Sequence, residues 1–147
     1  MPNASEILHL FKLLEEIVLE PFSKDIYSAI DGKEHMFIGS LKDIMAKGTY
    51  HTITDGDKRV GVVGYENGKK EPFATIGIIK EFRGKRYLAK AYKALAAKHG
   101  LKRIYIDVEA SNKKSLEAHK AVGFKDIVDD VPRKRLYKTD VRMYKDF

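Results

Sequence analysis

The hydrophobic positions change their period partway along the chain. Ile7, Leu10, Phe11, Leu14, Ile17 and Val18 recur at helical spacing, which predicts a helix from Asn3 and Glu6 to a stop at Pro21. A second short helix is predicted over residues 24–30, ending near Gly32. Ser40 and Asp43 form a capping-box pattern for a helix over residues 41–47, with Gly48 as its stop. The pattern then turns to strands. Residues 50–54 and 60–65 flank Asp55-Gly56-Asp57, a hairpin signal. Asn67-Gly68 is a second turn, leading to a strand over 73–79. These three strands are expected to form an antiparallel meander.

Beyond residue 80 helices and strands alternate. A helix is predicted over 87–99, a strand over 103–108, a helix over 113–122, and closing strands over 124–128 and 141–147. Leu88, Ala91, Tyr92 and Leu95 form the buried stripe of the first helix, while Lys90, Lys93 and Lys98 face outward. Gly100 and Gly123 stand where helices end. Strand, helix and strand in succession make a crossover, so 73–79 and 103–108 are expected to be parallel neighbours. The expected fold is α/β: a mixed, mostly antiparallel sheet with one parallel crossover, flanked by helices.

A chain of 147 residues with 44% hydrophobic positions suits a single domain with a real core. No apolar run reaches the ~20 residues of a membrane helix, and the start lacks the pattern of a secretory signal. A cytoplasmic protein without membrane association is expected. There is no cysteine, which excludes disulfides, thiolate metal sites and a cysteine nucleophile. The net charge of +7 is concentrated: residues 80–103 carry nine cations and one anion, Glu81. That local field suits a nucleotide cofactor, RNA or an acidic partner, and charge alone does not choose among them.

The segment from Ile78 and Ile79 through Arg83-Gly84-Lys85-Arg86 empties from a strand into the start of the next helix, at Tyr87 and Leu88. Free N–H groups and the dipole at such a helix start favour phosphate; the alternative is a solvated basic turn. Asn112 is expected to cap the helix that follows Asp107-Val108-Glu109-Ala110-Ser111. His119 lies two turns further on, and is either a packing residue or an acid–base group. Asp107, inside an apolar strand, is either paired or functional. There is neither a P-loop nor a dinucleotide fingerprint.

Together these segments resemble the GNAT superfamily of acyl-CoA-dependent N-acyltransferases, over about residues 50–147. Arg83, Gly84 and Lys85 resemble the start of the family's Arg-Gly-x-Gly-x-Gly/Ala loop. Asn112, Ser115, His119, Gly123 and Phe124 fit its second signature in register. The segment Asp107 to Asn112 is also similar to the ribosomal-protein alanine N-acetyltransferases. The resemblance implies one GNAT-like domain over 1–147, with 1–48 as a helical acceptor-side region and 50–147 as the CoA-binding core. It implies acetyl-CoA as acyl donor and a primary amine as acceptor, on a small molecule or a protein N-terminus. Backbone amides from Arg83 through Lys85, Arg86 and Tyr87 to Leu88 would hold the pyrophosphate. Ile78 and Ile79 would pair with the pantetheine arm, and Asn112 would contact it. Asp107 would act as general base, and His119 would protonate the departing thiolate.

Three positions depart from the pattern. Arg86 replaces the first loop glycine and Leu88 the small residue after it; a Cβ there is tolerated where the backbone stays right-handed. The chain also opens with a predicted helix where the family opens with a strand, leaving residues 35–38 as a displaced candidate. Two rival readings follow. One is a catalytically silent GNAT-like module. The other is an RNA- or ribosome-associated protein using residues 80–103 and the cluster Arg133, Lys134, Arg135, although no aromatic-and-basic RNA signature accompanies them. The acceptor and the oligomeric state are not encoded in any motif.

Overall fold

The computed structural model describes residues 3–7, 17–33, 37, 39–67, 71–84, 86–127 and 140–147. In chain order the elements are β1 (Val18–Pro21), α1 (Lys24–Ser28), α2 (Leu41–Lys47), β2 (Gly48–Asp55), β3 (Lys58–Glu66), β4 (Ala74–Ile78), a 3-10 turn (Lys80–Phe82), α3 (Tyr87–His99), β5 (Arg103–Glu109), α4 (Lys113–Ala121), β6 (Lys125–Asp126) and β7 (Asp140–Asp146).

The chain does open its sheet with a strand. Residues 4–7 are helical, and Asn3 Oδ1 accepts from the Glu6 N–H at 2.8 Å as expected of a cap. Ile17 and Val18, however, do not continue that helix. Val18–Pro21 forms β1, antiparallel to β2. Pro21 therefore ends a strand, which an edge position allows because the missing N–H interrupts no second neighbour. The helical positions Leu10, Phe11 and Leu14, the displaced strand apart from Phe37, Gly68, Lys85, residue 128 and the Arg133–Arg135 cluster lie outside the described residues.

The antiparallel part follows the sequence. Ser40 and Asp43 form the reciprocal capping box of α2, and Gly48 ends the helix, though in extended rather than left-handed geometry. Gly56 at φ +62° turns the β2–β3 hairpin. The strand order is β1-β2-β3-β4 in one sheet and β5-β7-β6 in another. The expected parallel ladder between β4 and β5 is not formed among the described residues. A single parallel bridge, Phe73 with Tyr105, joins the two sheets. Each strand is claimed on its far side, β4 by β3 and β5 by β7, and no ladder between the two is formed past the bridge among the described residues.

Two apolar layers hold this arrangement. On one face, Ala91, Tyr92 and Leu95 of α3 pack with Ile53, Val63, Ile104, Ile106 and Phe124, and Leu116 of α4 joins them. On the other, Ile30, Phe37 and Ile44 cover Val62. Gly77 marks the closest approach of that second layer to β4. A Cβ there would meet Ile30 Cδ1 at 3.0 Å and Phe37 Cε2 at 3.4 Å.

Candidate active site

The gap between β4 and β5 is lined by backbone, and pairing parity tells which residues line it. Ile79 donates to the Val60 carbonyl at 2.8 Å, and Glu66 donates to the Phe73 carbonyl at 3.1 Å. In an antiparallel ladder such bonded positions alternate. Residues 73, 75, 77 and 79 therefore face β3, while the N–H and C=O groups of Ala74, Ile76 and Ile78 face the gap. The same argument holds across the gap. Phe147 donates to Lys102 O at 2.9 Å, so the even positions of β5 bond to β7. Tyr105, Asp107 and Glu109 present their backbone toward β4, and Tyr105 N–H reaches Pro72 O at 2.9 Å. The Ile79 N–H belongs to Val60 and its carbonyl accepts from Phe82, whereas Ile76, which the motif did not single out, faces the gap beside Ile78.

β4 and β5 run in the same direction, so the loops after both open at the wide end of the gap. There α3 begins in an unusual way. Its N-cap, Arg86, sits at φ +67°, ψ +18°, and no side chain caps the helix. A left-handed residue with a Cβ costs roughly 1–2 kcal/mol. The condition for tolerating a Cβ at Arg86, a right-handed backbone, is thus not met: the loop keeps a glycine's conformation with an arginine in it. Gly84 is also left-handed, at φ +78°, with open space around its missing Cβ. The first turn of α3 carries no acidic side chain. Its leading N–H groups have no partner within the helix and carry the positive end of the dipole. Leu88 points away from this site and packs against the core, so its bulk does not obstruct the helix start. Tyr87 donates from its hydroxyl to Asp55 Oδ2 at 2.6 Å, which pushes the phenol up to about 12 and ties the helix to the β2–β3 hairpin. Arg83 is exposed, and its guanidinium donates to the carbonyls of Ile78 at 2.9 Å and Asp31 at 2.8 Å.

The second strand–helix unit is different. Asn112 caps α4, its Oδ1 accepting from the Ser115 N–H at 3.2 Å. Asp107 accepts two bonds from Arg142, at 2.7 and 2.9 Å. Arg142 is 2% exposed and lies over the Phe73 ring. Of the two readings left open for Asp107, the paired one describes what is seen: both oxygens hold a buried cation. His119 is also enclosed, at 5% exposure. Its Nδ1 lies 2.7 Å from the Ser115 carbonyl, which can only accept, so Nδ1 carries the proton. Nε2 then accepts from the Tyr92 hydroxyl at 2.9 Å. Burial pushes His119 down from its ordinary value, with the Ser115 carbonyl opposing, and pushes the Tyr92 phenol up. Both ring nitrogens are engaged within the protein. The fold does not bring Asp107 and His119 together. Asp107 leaves β5 on the face opposite the apolar one that α4 covers.

A depression of about 660 Å³ lies elsewhere, on the outer flank of α3. Ala97, Leu101 and Phe147 floor it, and Lys90, Lys93, Lys102 and Lys145 rim it. Among the described residues no group of three or more metal-ligand side chains occurs, and no helix is long and apolar enough to cross a membrane.

Residues 17–125 match the family described as acetyltransferase (GNAT) domain. The chain belongs to the GNAT acetyltransferase family. Its fold is similar to that of an acetyltransferase from Agrobacterium tumefaciens, with TM-score 0.66 and 16% identity over 89% of this chain and 91% of that one. An acetyltransferase from Thermus thermophilus gives 0.65 and 17%, over 91% and 99%. A mutant of the spermidine N-acetyltransferase of Vibrio cholerae also gives 0.65 and 17%, over 88% and 93%. At these identities the likeness is one of fold. No curated protein matches the sequence. The family match starts at residue 17, so the first strand overlooked in the hydrophobic pattern belongs to the GNAT unit.

Proposed function

We propose that this GNAT domain transfers an acetyl group from acetyl-CoA to a primary amine by direct attack. Acetyl-CoA supplies the acetyl group as an activated thioester. The observation that carries the reading is a coincidence of two donor sets at one end of one gap. The uncapped start of α3, with Gly84 and Arg86 before it, suits a pyrophosphate. The cleft-facing N–H and C=O groups of Ile76 and Ile78 suit an extended amide-bearing arm, with the N–H groups also serving a carbonyl oxygen on which charge develops. Lys85 and Asn112 complete the assigned binding positions. The resemblance gives Asp107 the role of general base; in this reading its carboxylate fixes Arg142 instead. His119 holds α4 against α3 through Tyr92. The likeness of Asp107 to Asn112 to the ribosomal-protein alanine enzymes favours an α-amine. That group has a pKa near 8 and needs only modest deprotonation at neutral pH.

Titration calorimetry with acetyl-CoA, and with CoA as comparison, tests the reading. Saturable micromolar binding supports it, and a thiol-release screen of N-terminal peptides and polyamines then finds the acceptor. Absence of binding up to millimolar concentration means that Arg86 has closed the cradle, leaving a silent GNAT-like module. The lysine-rimmed flank of α3 favours a second reading, RNA association. That reading requires binding to generic RNA that weakens steeply with salt.

A further inference from the structure

We propose that Arg83 is a positioning residue that tethers the turn at residues 29–32 to β4 and releases it when the cleft fills; this rests on the acetyl-CoA reading above. The guanidinium forks across two elements far apart in sequence. Nε donates to Ile78 O and one terminal nitrogen donates to Asp31 O. Among the described residues its partners are neutral carbonyls. The Ile78 carbonyl is one of the groups that parity aims into the gap, so the Arg83 side chain lies along the edge that an extended ligand must use.

The competition has a physical direction. Arg83 precedes the left-handed Gly84 and Arg86 and the open start of α3. A phosphate held there offers the guanidinium charge-assisted bonds roughly twice as strong as those to a carbonyl. Ligand binding therefore takes the Ile78 edge and draws the fork away from Asp31. The turn does not unfold when it is released. Ile30 is fully buried and stays seated over Gly77, where a Cβ would meet it at 3.0 Å. Only the polar side of the turn is freed. That side belongs to the layer on the face from which Asp107 projects. Loading the donor thus loosens the layer that an acceptor would approach.

Hydrogen exchange read by mass spectrometry tests this on the untagged protein, with calorimetry run in parallel to report binding. Without ligand, Arg83→Ala should exchange the turn about tenfold faster than wild type, as expected for loss of one bond to a charged donor. Saturating acetyl-CoA should raise the wild-type turn to that level and leave Arg83→Ala unchanged. Arg83→Lys cannot span both carbonyls, so its turn should already be fast while its affinity exceeds that of Arg83→Ala. Unaltered protection of α3 and β5 shows that each variant is folded. Bound ligand with an unchanged or slowed wild-type turn overturns the tether and leaves the cofactor reading standing. So does a variant turn that responds as wild type does. No binding to wild type overturns both.

Discussion

Two strand–loop–helix units face each other across the gap, and they use their polar groups in opposite ways. In β4–α3 the helix start has no side-chain cap, Arg86 is left-handed, and strand groups at Ile76 and Ile78 point into the cleft, where only the Ile78 carbonyl is engaged by a side chain, that of Arg83. In β5–α4 the helix start is capped by Asn112, Asp107 is locked to Arg142, and His119 is locked between Ser115 and Tyr92. The unit whose residues look most catalytic in sequence is the one whose polar groups are already satisfied. A binding edge is recognised by donors and acceptors the fold leaves uncommitted, more than by reactive residue types.

The largest effect expected from that contrast is at Asp107. Asp107→Ala strands a buried guanidinium and should destabilise by about 3–5 kcal/mol, read from urea unfolding. Replacing both partners, Asp107→Leu with Arg142→Met, should recover most of that loss. A fully stable Asp107→Ala would show that the ion pair is not structural and reopen the base assignment. Next comes His119→Ala, which leaves the buried Tyr92 hydroxyl unpaired, at roughly 1–3 kcal/mol. If His119 is a strut, Tyr92→Phe should lose stability too, and neither variant should move the pH profile of turnover. A shift in that profile with His119→Ala alone would return the residue to acid–base chemistry.

The two helix starts give a smaller and sharper test. Asn112→Ala removes a cap and should cost about 1 kcal/mol. Arg86→Gly relieves a left-handed Cβ and should gain up to about 1 kcal/mol, less what glycine adds to unfolded-chain entropy. Thermal melts of the pair should therefore shift in opposite directions. A melt lowered by Arg86→Gly would mean that the side chain is more than a tolerated replacement.

The smallest contrast is in pH. Burial holds His119 below its ordinary value, and His51 and His99 are lowered likewise, with Lys98 adding repulsion to both. The last two meet Nε2 to Nε2 at 2.8 Å between β2 and α3, a contact that accommodates one proton. The unfolded chain takes up these protons near pH 6.5 and the folded one resists them. Stability is complete above that value and declines as pH falls toward the depressed folded values. Melting temperatures from pH 8 to pH 5 should fall, and less steeply in His51→Gln. A rise on acidification would contradict the burial.

Much of the fold is legible in the chain. The span of α3, the α2 capping box, the Gly56 hairpin and the Asn112 cap are set by groups within a few residues of one another, where local rules operate. The misreadings are also physical. Val18 fits a helical stripe and a strand equally well, and only the pairing of Val18 with Thr54 and of Leu19 with Ile53 decides for β1. The expected parallel ladder of β4 and β5 is reduced to one bridge among the described residues, because each strand's stronger partner comes from elsewhere in the chain.

By itself, then, the sequence determined the order of elements after Pro21, the cation-rich loop, and motif spacing sufficient to indicate the GNAT family. Tertiary structure decided what those residues are free to do. Arg142 lies 35 positions from Asp107, Tyr92 lies 27 from His119, and Asp31 lies 52 from Arg83. Strand parity, which turns Ile78 toward the cleft and Ile79 away, depends on a register set by β3. The commitment of a hydrogen-bonding group depends on its neighbour in space, and no spacing along the chain specifies that neighbour.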